Sequence, residues 1–150
     1  MAAQLTAEEQ VIRQTGMQVF GLESLREQVV NELKSAYRQV RNSLSSWRVQ
    51  LQRIVSDGDT DGLSVFAVQL KEQGVRIRTG RFSRVVLPDA TTKAAIEAAS
   101  GYPAGFIDVA YKVIDDALEQ MAAFSKDTTV EELQAFFAEV EAEMTEEPSL

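Results

Sequence analysis

Four arginines fall within nine residues, at Arg76, Arg78, Arg81 and Arg84. Planar guanidinium forks at that density suit the bidentate binding of oxyanions, either phosphate or carboxylate. A second basic group stands upstream. Lys34, Arg38, Arg41, Arg48 and Arg53 occur between Leu33 and Ser56, a stretch with no acidic residue. On a helix the first four share an arc of roughly 80° at about 100° per residue. Two occupants fit such cations. One is the phosphate backbone of DNA or RNA. The other is a carboxylate surface, from the acidic end of this chain or of a neighbouring copy, and for the arginine cluster at 76–84 this is the favoured one.

The acidic residues offer less chemistry. Asp57-Gly-Asp-Thr-Asp-Gly62 resembles the first six positions of an EF-hand calcium loop, D-x-D-x-D-G, and lies between two expected helices. Asp57, Asp59 and Asp61 would supply alternate oxygen ligands and Gly62 the sharp turn. The likeness stops there: position eight is Ser64 and position twelve Val68, where the loop needs an aliphatic residue and a bidentate Glu. Aspartate and glycine also build ordinary interhelical turns, and that reading is preferred to a Ca²⁺ site. Asp115 and Asp116 are adjacent, so on a helix they point about 100° apart and do not form a facing carboxylate pair. The chain has no His and no Cys. It also lacks G-x-S-x-G, Walker A and G-x-G-x-x-G strings, so catalysis, a cofactor and a small-molecule substrate are not expected.

The elements that must position these groups follow from hydrophobic spacing. Leu22, Leu25, Val29, Leu33, Ala36, Val40, Leu44, Trp47, Leu51 and Val55 recur in steps of 3, 4 and 4. That eleven-residue period keeps one stripe on one side of a nearly straight rod. It predicts a single helix of ~34 residues over Leu22–Val55, ~50 Å long. Leu33, Val40, Leu44, Trp47 and Leu51 mark the stripe as core or interface. Trp47 beside Arg48 is a base-stacking pair in principle, but a lone Trp at helical spacing is read first as core.

Around the rod, Thr6-Ala-Glu-Glu9 reads as a capping box for a short helix ending near Gly16. Residues 1–21 then form an arm that folds back or swaps onto a neighbour. Asp61 caps a helix over Gly62–Gln73, ended by Gly74. Val75 to Leu87 alternates around Thr79-Gly80 and predicts a two-stranded antiparallel hairpin carrying the four arginines. Further helices are expected at about 91–100 and 102–125. The second of these is nearly apolar all round and is the expected core helix. A last helix follows a capping box at Thr128–Glu131. The fold class is therefore mainly α: five to six helices around one long helix, with a small hairpin at about 75–87. Residues 1–144 make one helical domain and 145–150 a disordered acidic tail.

Charge is segregated. Residues 1–106 hold 13 basic and 11 acidic groups, whereas residues 107–150 hold 2 and 12. The overall charge of −8 thus combines a mildly basic body with an acidic end. No signal peptide or spanning segment is evident, which implies a cytoplasmic protein, free or part of a particle. The sequence as a whole points to a non-enzymatic, self-assembling structural or adaptor subunit, coat-like or scaffold-like, forming a homo-oligomer. Nucleic-acid binding through the arginines and the basic helix edge is the alternative, and a Ca²⁺-responsive module the lesser one.

Overall fold

The long amphipathic segment forms a helix but bends once. A computed structural model describes the backbone of residues 7–144 and the side chains of residues 21–144. Helix α1 spans Ala7–Arg41 and α2 spans Leu44–Asp57, where one unbroken helix is expected from the spacing. The bend has a chemical cause. Ser43 stays in the right-handed region, at φ −82° and ψ −13°. Its hydroxyl, however, donates to the Gln39 carbonyl at 2.7 Å, the acceptor its own N–H would use in a continuous helix. Serine bonding back by four residues bends helices. Asn42, Ser43, Ser45 and Ser46 add little helix propensity to resist it.

Upstream the departure is the opposite one. α1 continues through Gly16 and Gly21, so the expected break and joint are absent. One helical glycine costs only about 1 kcal/mol relative to alanine, too little to stop a helix by itself. The Thr6 capping box and the 145–150 tail lie outside the described residues.

The remaining elements are α3 (Thr60–Thr79), a 3-10 turn (Arg81–Arg84), α4 (Ala90–Ser100), α5 (Phe106–Ala123) and α6 (Val130–Glu143). Among the described residues there is no β-strand, so the hairpin expected at 75–87 is overturned. α3 runs through Gly74 because the glycine is there for packing, not termination. A Cβ added at Gly74 would sit 2.6 Å from Met121 Cβ of α5. α3 and α5 pack more extensively than any other pair, and Gly74 is what lets them approach. The alternation at 75–79 places Ile77 on the buried side, and Phe82 of the 3-10 turn stacks on Tyr111 of α5, ring centroids 5.1 Å apart.

Caps define the other joints. Asp59, not Asp61, caps α3 by accepting from Gly62 N–H at 2.9 Å, and Gly58 closes α2 at φ +61°. Asp89 caps α4. Thr129, one residue beyond the expected Thr128, caps α6, while Thr128 is buried and accepts from Ser125 N–H. α5 starts at Phe106, later than the expected Tyr102, and its first turn is held from outside. The buried Glu97 carboxylate of α4 accepts from Ile107 N–H at 2.9 Å. A carboxylate there satisfies an otherwise open donor and matches the positive end of the helix dipole.

The stripe is covered by this chain itself. Val29, Leu33, Ala36, Val40, Leu44, Trp47 and Leu51 are each at most 4% exposed. Trp47 packs against both Phe136 and Phe137 of α6, with ring centroids at 6.3 and 6.2 Å, and the two Phe rings are 5.8 Å from each other. Phe66 of α3 and Phe124 join the same aromatic group. Only Val55, at the far end of the stripe, is half exposed.

Gly74→Ala tests the close approach of α3 and α5. An exposed helical glycine would gain about 1 kcal/mol from alanine. Here the added methyl is expected to destabilise by about 1–3 kcal/mol through overpacking, read as a lower denaturant midpoint. A stabilised variant would mean that the helices part freely.

Candidate interaction surface

The cations at α3's end meet different fates. Arg78 donates to Asp115 Oδ1 at 2.9 Å and to the Asp115 carbonyl at 3.1 Å, binding α3 to α5. Arg76, Arg81 and Arg84 are exposed and, among the described residues, make no ion pair. Arg76 and Arg78 stand in the last turn of α3, where positive charge is favoured by the helix dipole. Arg81 and Arg84 are three residues apart in a 3-10 turn, whose three-residue repeat puts them on one side. Without the hairpin, no pair of arginines faces another across a ladder.

On the bent rod, Arg48 pairs with Glu141 of α6. The hydrogen bond from Arg48 is the main cause that holds the Glu141 carboxyl below its usual range, with Arg41 adding a weaker attraction. The same bond raises the Arg48 guanidinium. Lys34 and Arg41 are half-buried, while Arg38 and Arg53 are exposed. At Arg48 and Arg41 the basic edge therefore meets Glu141 of the chain's own acidic end.

Beside this pair α2 and α6 leave a groove of about 460 Å³. Its floor is Leu51, Val55 and Phe137. Arg48, Gln52, Ser56 and Gln134 form the rim. Sequence spacing placed Leu51, Val55 and Phe137 on apolar stripes, but not on one concave surface, because that needs the antiparallel docking of two helices ~80 residues apart. Arg48 opposite Glu141, with Leu51 and Val55 opposite Phe137 and Gln134, fixes that docking direction.

The acidic residues rearrange too. Asp59 is spent on the α3 cap. Asp57, Asp59 and Asp61 do not converge as a calcium loop would require. The only acidic trio among the described residues with oxygens within 4.8 Å of one another is Asp115, Asp116 and Glu119. The adjacent aspartates reach a common point despite their angular offset, and Glu119 joins from one turn on. Arg78 already holds Asp115, which places a fixed positive charge against that trio. Elsewhere Lys93 bonds Asp108 at 2.8 Å and Arg26 donates to Ser100 Oγ at 2.9 Å. Among the described residues no helix is long and apolar enough to cross a membrane.

Compared with known proteins, the chain matches no family model, no curated protein and no solved structure.

The lowered Glu141 carboxyl makes the Arg48 contact a source of acid sensitivity. Its contribution is complete above the unfolded-state value of about 4.3 and disappears as pH falls through the lower folded value. Denaturant midpoints measured from pH 6 downward should therefore fall more steeply in the wild type than in Glu141→Gln, converging in strong acid. Parallel curves would show that the pair does not form in solution.

Proposed function

We propose that this chain is a non-enzymatic interaction subunit, structural or adaptor in role, that docks a polypeptide segment in the groove between α2 and α6. One observation carries the reading: a concavity of about 460 Å³ with a polar rim and a small apolar floor, at the end of the long stripe where Val55 is half exposed. A groove of that size holds a few anchoring side chains of a docked segment, which suits peptide or helix recognition. The absence of His and Cys from the 150 residues and the engagement of Asp115 by Arg78 support a binding role over a catalytic one. The self-assembling form of this reading takes a second copy as the partner. The long stripe itself does not support assembly, because Val29 to Leu51 are buried within the one chain.

A second reading is polyanion binding at the α3 end. It is favoured by one feature, the exposure of Arg76, Arg81 and Arg84 with no carboxylate in contact among the described residues.

Light scattering across a concentration series tests self-assembly. The mass is expected to rise above the 16.6 kDa of one chain, and Val55→Asp to suppress that rise. A wild type that keeps the monomer mass throughout overturns self-assembly. For the second reading, a gel shift with single- and double-stranded oligonucleotides at low salt should be weakened by Arg81→Ala with Arg84→Ala and by added salt. No shift at low salt removes that reading.

A further inference from the structure

Beyond the groove, we infer that the solvent-facing ridge of α3 is a pairing surface for a second copy of this chain, docked antiparallel about a two-fold axis near residue 70. The ridge itself is the first observation. Asp61, Val65, Val68, Glu72, Val75 and Thr79 follow at steps of 4, 3, 4, 3 and 4. At about 100° per residue they share an arc of roughly 80°, on the side opposite Phe66, Leu70 and Ile77, which enter the core. Alternating steps of 3 and 4 are the spacing of a helix-to-helix seam. Here the seam points outward: Val65 is 56% and Val75 42% exposed, and Val68 is half-buried. Valine is a poor helix former, so a bare helix surface gains nothing from three of them. A facing helix does.

The second observation is a hollow of about 330 Å³ on the same ridge, lined by Ser64, Val65, Val68, Gln69, Glu72 and Lys126. Lys126 is held there because Ser64 Oγ donates to its carbonyl at 2.8 Å. With the axis near residue 70, Val65 stands level with Val75 of the partner subunit and Val68 with the partner's Glu72. Each hollow then receives the partner's Val75 together with the partner's Glu72, whose carboxylate meets Lys126.

Charge supplies the third. α3 begins among Asp57, Asp59 and Asp61 and ends among Arg76, Arg78, Arg81 and Arg84. Arg78 takes Asp115, but Arg76, Arg81 and Arg84 are exposed and make no ion pair among the described residues, and the same holds for Asp57 and Asp61. Parallel pairing would set like ends together. The antiparallel arrangement brings Asp61 within one turn of the level of the partner's Arg76, and a two-fold contact does this twice. Opposite charges at both ends fix the register and speed encounter. One helix pair ~30 Å long is a small interface, so the pairing depends on concentration and is sensitive to salt.

The test is read in Val55→Asp, which removes the groove's share of any association. Its mass by light scattering is expected to rise with concentration toward twice the 16.6 kDa of one chain, and to fall back with added salt. Arg76→Glu with Arg81→Glu should hold it at one chain, as should Asp57→Lys with Asp61→Lys, which leaves the Asp59 cap in place. All four together exchange the charges of the two ends and should restore the rise. These four positions are exposed, so circular dichroism of each variant should match the wild type. A polyanion bridging two chains at the arginines would be lost with Arg76→Glu and Arg81→Glu and would not return in the four-fold variant, so pairing that stays lost there overturns the inference. A rise that neither reversal lowers overturns it too. A Val55→Asp chain that keeps the mass of one chain does the same, while a wild type that still rises would leave the groove reading standing.

Discussion

The bundle depends on the burial of one apolar stripe along a helix that bends at Ser43. From Val29 to Leu51 that stripe is sealed by the 3-10 turn, α3, α4, α5 and α6, with Trp47 packed on Phe136 and Phe137. Burying a large apolar side chain contributes about 1.5–3 kcal/mol, so the six large sealed side chains outweigh any surface ion pair, whose typical worth is about 0–1 kcal/mol. The bend belongs to the same constraint. It redirects α2 while keeping Leu44, Trp47 and Leu51 on the buried side, so the one helix lines two parts of the core.

Charge then distributes itself over a body already fixed by packing. Arg48 and Arg78 each take a carboxylate from the acidic half of the chain, Glu141 and Asp115. The segregation visible in the composition is thus partly resolved by folding, with the basic middle docked against the acidic end. What folding leaves over is informative: a groove where α2 and α6 diverge, and three exposed arginines where α3 ends.

The helical pattern was legible wherever one residue spacing had only one explanation. The stripe, a helix at about 91–100 and the core role of α5 follow from local residues alone. The failures share a different cause. Val75–Leu87 alternates like a strand, yet Ile77 and Phe82 are claimed by α5, and tertiary packing overrides the local pattern. Gly74 reads locally as a stop, and only the position of Met121 explains its presence inside a helix. The bend was foreshadowed by the serines and Asn42, but not its mechanism, which requires one hydroxyl to choose the Gln39 carbonyl. The groove was beyond local reading altogether, because its two walls come from distant parts of the chain.

The Glu97 contact to Ile107 has a bearing on the order in which the molecule comes together. It closes a span of ten residues that contains Gly101 and Gly105, whose φ values of +75° and +82° turn the backbone sharply. Short closures cost little chain entropy and form on the fastest timescales available to a polypeptide. The α4–α5 corner is therefore suited to act as an early nucleus, presenting a preassembled ledge on which the slower, distant docking of the bent helix is completed.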